Sequence, residues 1–200
     1  MITTIIFDFN GVLSKDNTEI VFHKFKNIIN ASSLYSKMIA SRQLYECMTG
    51  KISYSDFKRA IATLGDIDAD SMDVISEEMM NTRVLNVEVL NIIKLAKTSG
   101  KQTILHSDYM KVPFDYWVRK FKLREYFDNL LCSSYIGSLK SNPETWEKVL
   151  KVLDKKPEEC VLIDDLSSNV YTAESKGMHG IVFRDSEQLL KELEKLGIIL

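Results

Sequence analysis

Four short stretches of this 200-residue chain carry polar residues able to do chemistry together. They read Asp8-Phe9-Asn10-Gly11, His106-Ser107-Asp108, Gly137-Ser138-Leu139-Lys140 and Asp164-Asp165. Most of them follow directly on an apolar run. A single Asp or Ser in such a place is usually a helix cap or a turn former. Four in succession, supplying a carboxylate, a hydroxyl, an ammonium and a carboxylate pair, exceed what capping requires. His23, His106 and His179 lack the spacing of metal ligands. His106 is read as a core histidine whose hydrogen bonds are met.

The elements that must position these groups alternate in type. Ile2–Phe7, Gln102–His106, Leu130–Ser133, Val161–Ile163 and Gly180–Phe183 read as buried strands. Between them Val87–Lys97, Asn142–Leu153, Ser167–Lys176 and Ser186–Leu196 have helical periodicity, with Pro143 at a first turn and Gly100 and Gly177 as stops. Strands alternating with helices imply right-handed crossovers and a parallel sheet covered on both faces. In such sheets sites gather at the carboxyl ends of the strands, where the polar stretches fall. Residues 14–83 break the alternation. Asn17–Asn30, Leu34–Met48, Tyr54–Leu64 and Asp70–Asn81 each read as helix, with Gly50 and Gly65 in turns between them. The expected organisation is an α/β core of residues 1–13 and 84–200, a Rossmann-like parallel sheet, with an α-helical subdomain of residues 14–83 inserted after the first strand.

Composition sets the outer bounds. The chain is 45% hydrophobic and 27% charged, as expected of a soluble globular protein. A net charge of −2 and a pI near 6.0 leave no electrostatic footprint for nucleic acid. Cys47, Cys132 and Cys160 are odd in number and far apart, which argues against a disulfide framework and for a reducing, cytoplasmic setting. The opening apolar run is too short for a signal peptide, and no stretch suits a bilayer span. Tyr109, Phe114, Tyr116, Trp117 and Phe121 have helical spacing and are read as core or interdomain contacts. The charges of Lys191–Lys195 are read as a solvated face.

With these residues in view, the chain resembles the haloacid dehalogenase superfamily of phosphatase-like hydrolases, in the subgroup with a helical cap between the first and second motifs. The four polar stretches match its four motifs over nearly the whole chain. The closest stretch is Val161-Leu162-Ile163-Asp164-Asp165-Leu166-Ser167-Ser168-Asn169, running on to Gly177-Met178-His179-Gly180-Ile181. Tyr45-Glu46, Gly50-Lys51-Ile52-Ser53 and Phe57 look like a turn pattern of family caps. The resemblance implies an aspartyl-phosphate mechanism with Asp8 as nucleophile. It implies a Mg2+ ion held by Asp8, Asp165 and the backbone carbonyl of Asn10, with Asp164 orienting metal-bound water. Ser107 and the amide of Asp108 would hold one phosphoryl oxygen, and Lys140 would neutralise another and position Asp8.

Two departures from the family pattern stand out. Its phosphatases carry a second aspartate two positions after the nucleophile, which protonates the leaving group and then activates water. This chain has Asn10, whose amide has no proton to exchange at neutral pH. Losing a positioned acid/base typically costs about 10²–10⁴-fold in rate. Asn10 also precedes Gly11, a pair prone to deamidation, which would return an aspartate. The second departure is Asp108, where asparagine is common; it adds negative charge beside the phosphate pocket. The expected function is a magnesium-dependent phosphoric monoester hydrolase of weakened activity, acting on a small phosphorylated metabolite. An impaired relative that binds a phosphorylated ligand or a protein partner is the second reading. A dehalogenase-type hydrolase is the third, disfavoured by the Asp164-Asp165 pair.

Overall fold

The computed structural model describes residues 1–15, 17–26 and 31–199. The first apolar run forms β1 (Thr4–Phe7), buried along its whole length. A tight loop leads to the two-residue strand β2 (Ser14–Lys15), and five helices follow. They are α1 (Thr18–Lys24), α2 (Ala31–Ile39), α3 (Arg42–Met48), α4 (Tyr54–Gly65) and α5 (Ala69–Asn81). The chain returns through β3 (Val84–Leu85), which pairs antiparallel with β2, Ser14 against Leu85 and Lys15 against Val84.

From there the alternation resumes. Helix α6 (Val87–Thr98) leads to β4 (Gln102–Ser107), α7 (Lys111–Lys120) and β5 (Asn129–Cys132). Next come the short α8 (Ser133–Ile136), α9 (Pro143–Leu153), β6 (Cys160–Asp164), α10 (Ser167–Glu174), β7 (His179–Val182) and α11 (Ser186–Lys195). The sheet runs β5-β4-β1-β6-β7, and every neighbour is parallel. This is the expected α/β fold.

The two-residue period of a strand and helices on both faces explain why β1 is buried throughout and apolar apart from Thr4. Ile5 and Phe7 join one cluster with Ile93, Leu105, Trp117 and Leu189; Ile6 joins another with Ile104, Trp146, Val149 and Leu162. Helices α6, α7 and α11 cover the first face, and α9 and α10 cover the second. Helices α1–α5 pack around a third cluster that includes Val21, Phe57, Ile61 and Ile75, with Met110 joining it from beyond β4.

The structure corrects several local readings. The helix expected over Leu34–Met48 is two helices, because Ser41 ends one and begins the next. Its hydroxyl donates to Met38 O at 2.7 Å and accepts from Leu44 N at 3.2 Å, a local bond that competes with a continuous helix. Ser133 starts α8 rather than ending a strand. The helix expected over Asn17–Asn30 is described only as Thr18–Lys24, and residues 27–30 lie outside the described residues. The β2–β3 ribbon carries no readable signal, since two residues per strand cannot show an alternation.

Candidate active site

Strand order brings the polar stretches together. β1 is central, with β4 and β6 on either side, and Phe7 is level with both Leu105 and Ile163. The next residue on each strand is Asp8, His106 and Asp164. Asp8 N continues the ladder by donating to Ile163 O at 2.9 Å.

After Asp8 the chain folds back on itself. Ser14 N donates to Phe9 O at 2.7 Å, and Gly11 N to Ser14 O at 2.9 Å. Gly11 has φ +78°, and a Cβ there would lie 2.2 Å from Asp165 Oδ2. Only glycine lets this loop press its main chain against the Asp165 carboxylate. The Gly11 N hydrogen bond also opposes deamidation of Asn10, which needs that nitrogen to reach the side-chain carbonyl carbon.

Lys140, 1% exposed, is the electrostatic centre. Its Nζ lies 2.7 Å from Asp8 Oδ1 and 2.5 Å from Asp164 Oδ2. Asp164 Oδ1 accepts from Leu166 N at 2.9 Å, and Asn169 Nδ2 donates to both carboxylate oxygens at 3.1 and 3.2 Å. The Lys140 main chain is held as well: its N donates to the Asp108 carboxylate at 3.0 and 3.1 Å, and its O accepts from Trp146 Nε1 at 3.0 Å. Asp8, Asp164 and Asp165 each present an oxygen within 4.8 Å of the others.

One ammonium cannot neutralise this cluster of carboxylates, of which Asp8 and Asp164 are buried. Burial pushes the Asp8 carboxyl up to about 7; Lys140 pulls the other way, and Asp164 adds to the rise. Burial, then Asp164, also raises Asp165. Burial lifts Asp108 to about 6 against the pull of Lys140. For Lys140 itself burial works downward, but Asp8, Asp164 and Asp108 outweigh it and keep the ammonium charged. The donor set is all oxygen, acidic and short of positive charge, which fits a hard divalent cation such as Mg2+.

Ser107, the last residue of β4, is fully buried, and its Oγ has no hydrogen-bond partner among the described residues. Such an orphan donor is costly unless a ligand satisfies it. His106 departs from expectation. It is buried with its ring against Trp146 at 5.5 Å, but neither ring nitrogen has a partner among the described residues. Burial and the nearby Lys140 hold its pKa well below the usual range, so it stays neutral.

The structure adds a residue that sequence spacing did not single out. Arg83, at the end of the helical segment, donates from Nη1 to Asn10 Oδ1 at 2.5 Å and to Ser14 Oγ at 2.9 Å. Its guanidinium lies 4.2 Å from the Trp117 ring centre, with Phe9 and Tyr109 also nearby. Seventy-three positions separate it from Asn10, and nothing local in the sequence links them. Gly11 and Asn169 were also unassigned as supports, though both fall within the quoted motifs.

A cavity of about 430 Å³ opens over the constellation, lined by Asp8, Asn10, Asp108, Lys140, Asp165 and, from α3, Met48. Ser133 Oγ donates to Met48 O at 2.7 Å, fastening that wall to the core. A larger hollow of about 560 Å³ beside α4 and α5 holds none of the predicted site residues.

Known proteins resemble this chain in sequence and in fold. A family model described as a haloacid dehalogenase-like hydrolase matches residues 2–177. Bifunctional epoxide hydrolase 2 of Rattus norvegicus is 40% identical over 75 residues, 38% of this chain and 14% of that protein. The chain thus matches only a small part of that relative. Pyrophosphatase PpaX of Bacillus cereus is 23% identical over 185 residues, 88% of this chain and 80% of that protein. Among solved structures, a HAD family enzyme of Bacteroides thetaiotaomicron in complex with magnesium and inorganic phosphate has a TM-score of 0.76 at 21% identity. The match covers 92% of this chain and 95% of that one, and at this identity it speaks to the fold.

Proposed function

The chain belongs to the haloacid dehalogenase-like hydrolases, and from that premise we propose that it is a magnesium-dependent phosphoric monoester hydrolase acting on a small phosphorylated metabolite. The observation that carries this reading is Lys140 bridging Asp8 and Asp164, with Asp165 alongside and the orphan Ser107 hydroxyl at the neighbouring strand end. Residues 14–83 would act as the cap that closes the pocket and selects the substrate, on a core of residues 1–13 and 84–200. Three buried free cysteines suit a reducing, cytoplasmic setting. No helix among the described residues is long and apolar enough to cross a membrane.

In this reading Asp8 Oδ2, the oxygen not held by Lys140, attacks phosphorus. A P–O bond to Asp8 forms, the ester P–O bond breaks, and the alcohol oxygen leaves with the electron pair. Asp8, Asp165 and the Asn10 carbonyl would hold Mg2+, with Asp164 ordering its waters; bound there, the ion supplies charge neutralisation at phosphorus. Ser107 and the Asp108 amide receive one nonbridging oxygen, and Lys140 balances the charge of another while aligning Asp8. Water then attacks the aspartyl-phosphate, the P–O bond to Asp8 breaks and inorganic phosphate leaves; the alcohol oxygen takes its proton from solvent, and the attacking water gives its proton to solvent. Asn10 can neither protonate the leaving group nor deprotonate that water, so turnover is slowed at both steps.

The test is hydrolysis of a panel of phosphate monoesters with and without magnesium. Metal-dependent phosphate release that Asp8→Asn abolishes supports the reading. A fully inactive wild-type protein that still binds inorganic phosphate supports the second reading, an impaired relative that binds a phosphorylated ligand, for which Asn10 is the motivating residue.

A further inference from the structure

Asn10 is more than a missing acid. An arginine side chain has hydrogen-bond donors and no acceptor. The Arg83–Asn10 contact therefore assigns the amide: Oδ1 faces the guanidinium, and the two Nδ2 hydrogens remain for other partners. Because Asn10 lines the cavity beside Asp8, those donors are available to what the cavity holds. We propose that Arg83 is a positioning residue that fixes Asn10 as a hydrogen-bond donor to an acceptor oxygen of the bound phosphate ester. Position 10 is then a binding group rather than a failed proton carrier. This inference rests on the phosphatase reading and deepens it.

Arg83 is itself tightly placed. It is 4% exposed, and its guanidinium is stacked over Trp117. Trp117 is pinned in turn, since its Nε1 donates to Met80 O at 2.9 Å. Ser14 Oγ, which accepts from Arg83, donates onward to Phe9 O at 3.0 Å. The loop from Phe9 to Ser14 is thus closed by side chains as well as by its main chain. Flipping the Asn10 amide would replace the acceptor facing the buried Arg83 cation with an N–H, setting donor against donor, a costly arrangement. The orientation is built into the fold before any ligand arrives. An ionised aspartate at the same place would offer Arg83 the same acceptor but present no donor to the cavity.

The experiment uses the full chain with magnesium and inorganic phosphate as the probe. Three readouts are needed: phosphate affinity by calorimetry, KM and kcat on an aryl phosphate, and the Asn10 side-chain amide signals by NMR. In the wild-type protein, phosphate should shift the Nδ2 proton pair. Asn10→Ala and Arg83→Met should each weaken phosphate binding about ten-fold, the scale of one hydrogen bond to a charged group. KM should rise more than kcat falls, and the double variant should be no worse than Asn10→Ala alone. Arg83→Lys, which keeps a buried cationic donor, should recover part of the loss. Nδ2 signals that stay still in a wild-type protein that binds phosphate would overturn the proposal alone, and that measurement stands even if Arg83→Met fails to fold. An Arg83→Met protein that folds and binds phosphate normally while Asn10→Ala does not would also overturn it. A wild-type protein that neither binds nor releases phosphate would overturn the phosphatase reading, and this proposal with it.

Discussion

At the scale of the residue, the contrast between Asn10 and an aspartate can be separated into two effects. Asn10→Asp supplies a proton carrier and, in its ionised form, removes the permanent N–H donor. Turnover of alkyl phosphates should rise by about 10²–10⁴-fold, the usual contribution of a general acid/base, while KM also rises. Aryl phosphates should gain less in the first step, because a low-pKa leaving group departs without protonation. Pre-steady-state kinetics on one aryl and one alkyl phosphate would show this. The wild-type protein should give a burst with the aryl ester as aspartyl-phosphate accumulates. Unchanged alkyl turnover in Asn10→Asp would move attention to Asp108, whose carboxylate holds the main chain of Lys140.

Among the elements, the link between α3 and the core depends on one close approach. Gly50 follows α3 with φ +71°, and a Cβ there would lie 2.3 Å from Ser134 O. Backbone cannot yield as a flexible side-chain end can, so Gly50→Ala must move either this turn or α8. Met48 and its bond to Ser133 lie two residues away and form a wall of the cavity. Gly50→Ala should therefore raise KM while magnesium binding, which in the proposed reading would use residues of the core, stays near the wild-type value. Calorimetry with magnesium alone, beside steady-state kinetics, separates the two. Equal loss of metal binding and KM would show that the turn supports the whole site rather than its cover.

For the whole molecule, the acidic cluster ties stability to pH and to metal. Burial pushes the Asp8 carboxyl up to about 7 and the Asp108 carboxyl up to about 6, both above the ordinary aspartate value of about 3.9. Between those limits the native state holds protons that the unfolded chain has released. Unfolding free energy contributed by these groups therefore falls as pH rises through that window and levels off above it. Magnesium bound as proposed would displace the Asp8 proton and compensate the charge, so its binding should strengthen as pH rises toward about 7. The increase in Tm on adding magnesium should grow over the same window and then flatten. Taking the difference with and without metal cancels pH effects from distant groups such as Asp128, whose carboxyl is held below its usual range. A magnesium-induced increase that is constant across the window would refute this link.

The parts legible from sequence are those written in local order. Ile5, Phe7, Leu105 and Ile163 lie in apolar runs, and the polar residue ending each run stands at a strand end because strands are short and their period is two. The alternation of such runs with helical patterns suffices to read a parallel α/β fold. What tertiary structure alone decided depends on pairs distant in the chain. No sequence pattern reveals that Arg83 reaches Asn10, that Gly11 is needed for Asp165 to approach, or that His106 lies buried without a hydrogen-bond partner among the described residues. The break at Ser41 is intermediate: a serine inside an apolar-periodic stretch is compatible with one helix or two. Periodicity reports the face a residue turns to the core. Which cation meets which amide is set only when the sheet order and the return of the helical segment have brought residues 10 and 83 together.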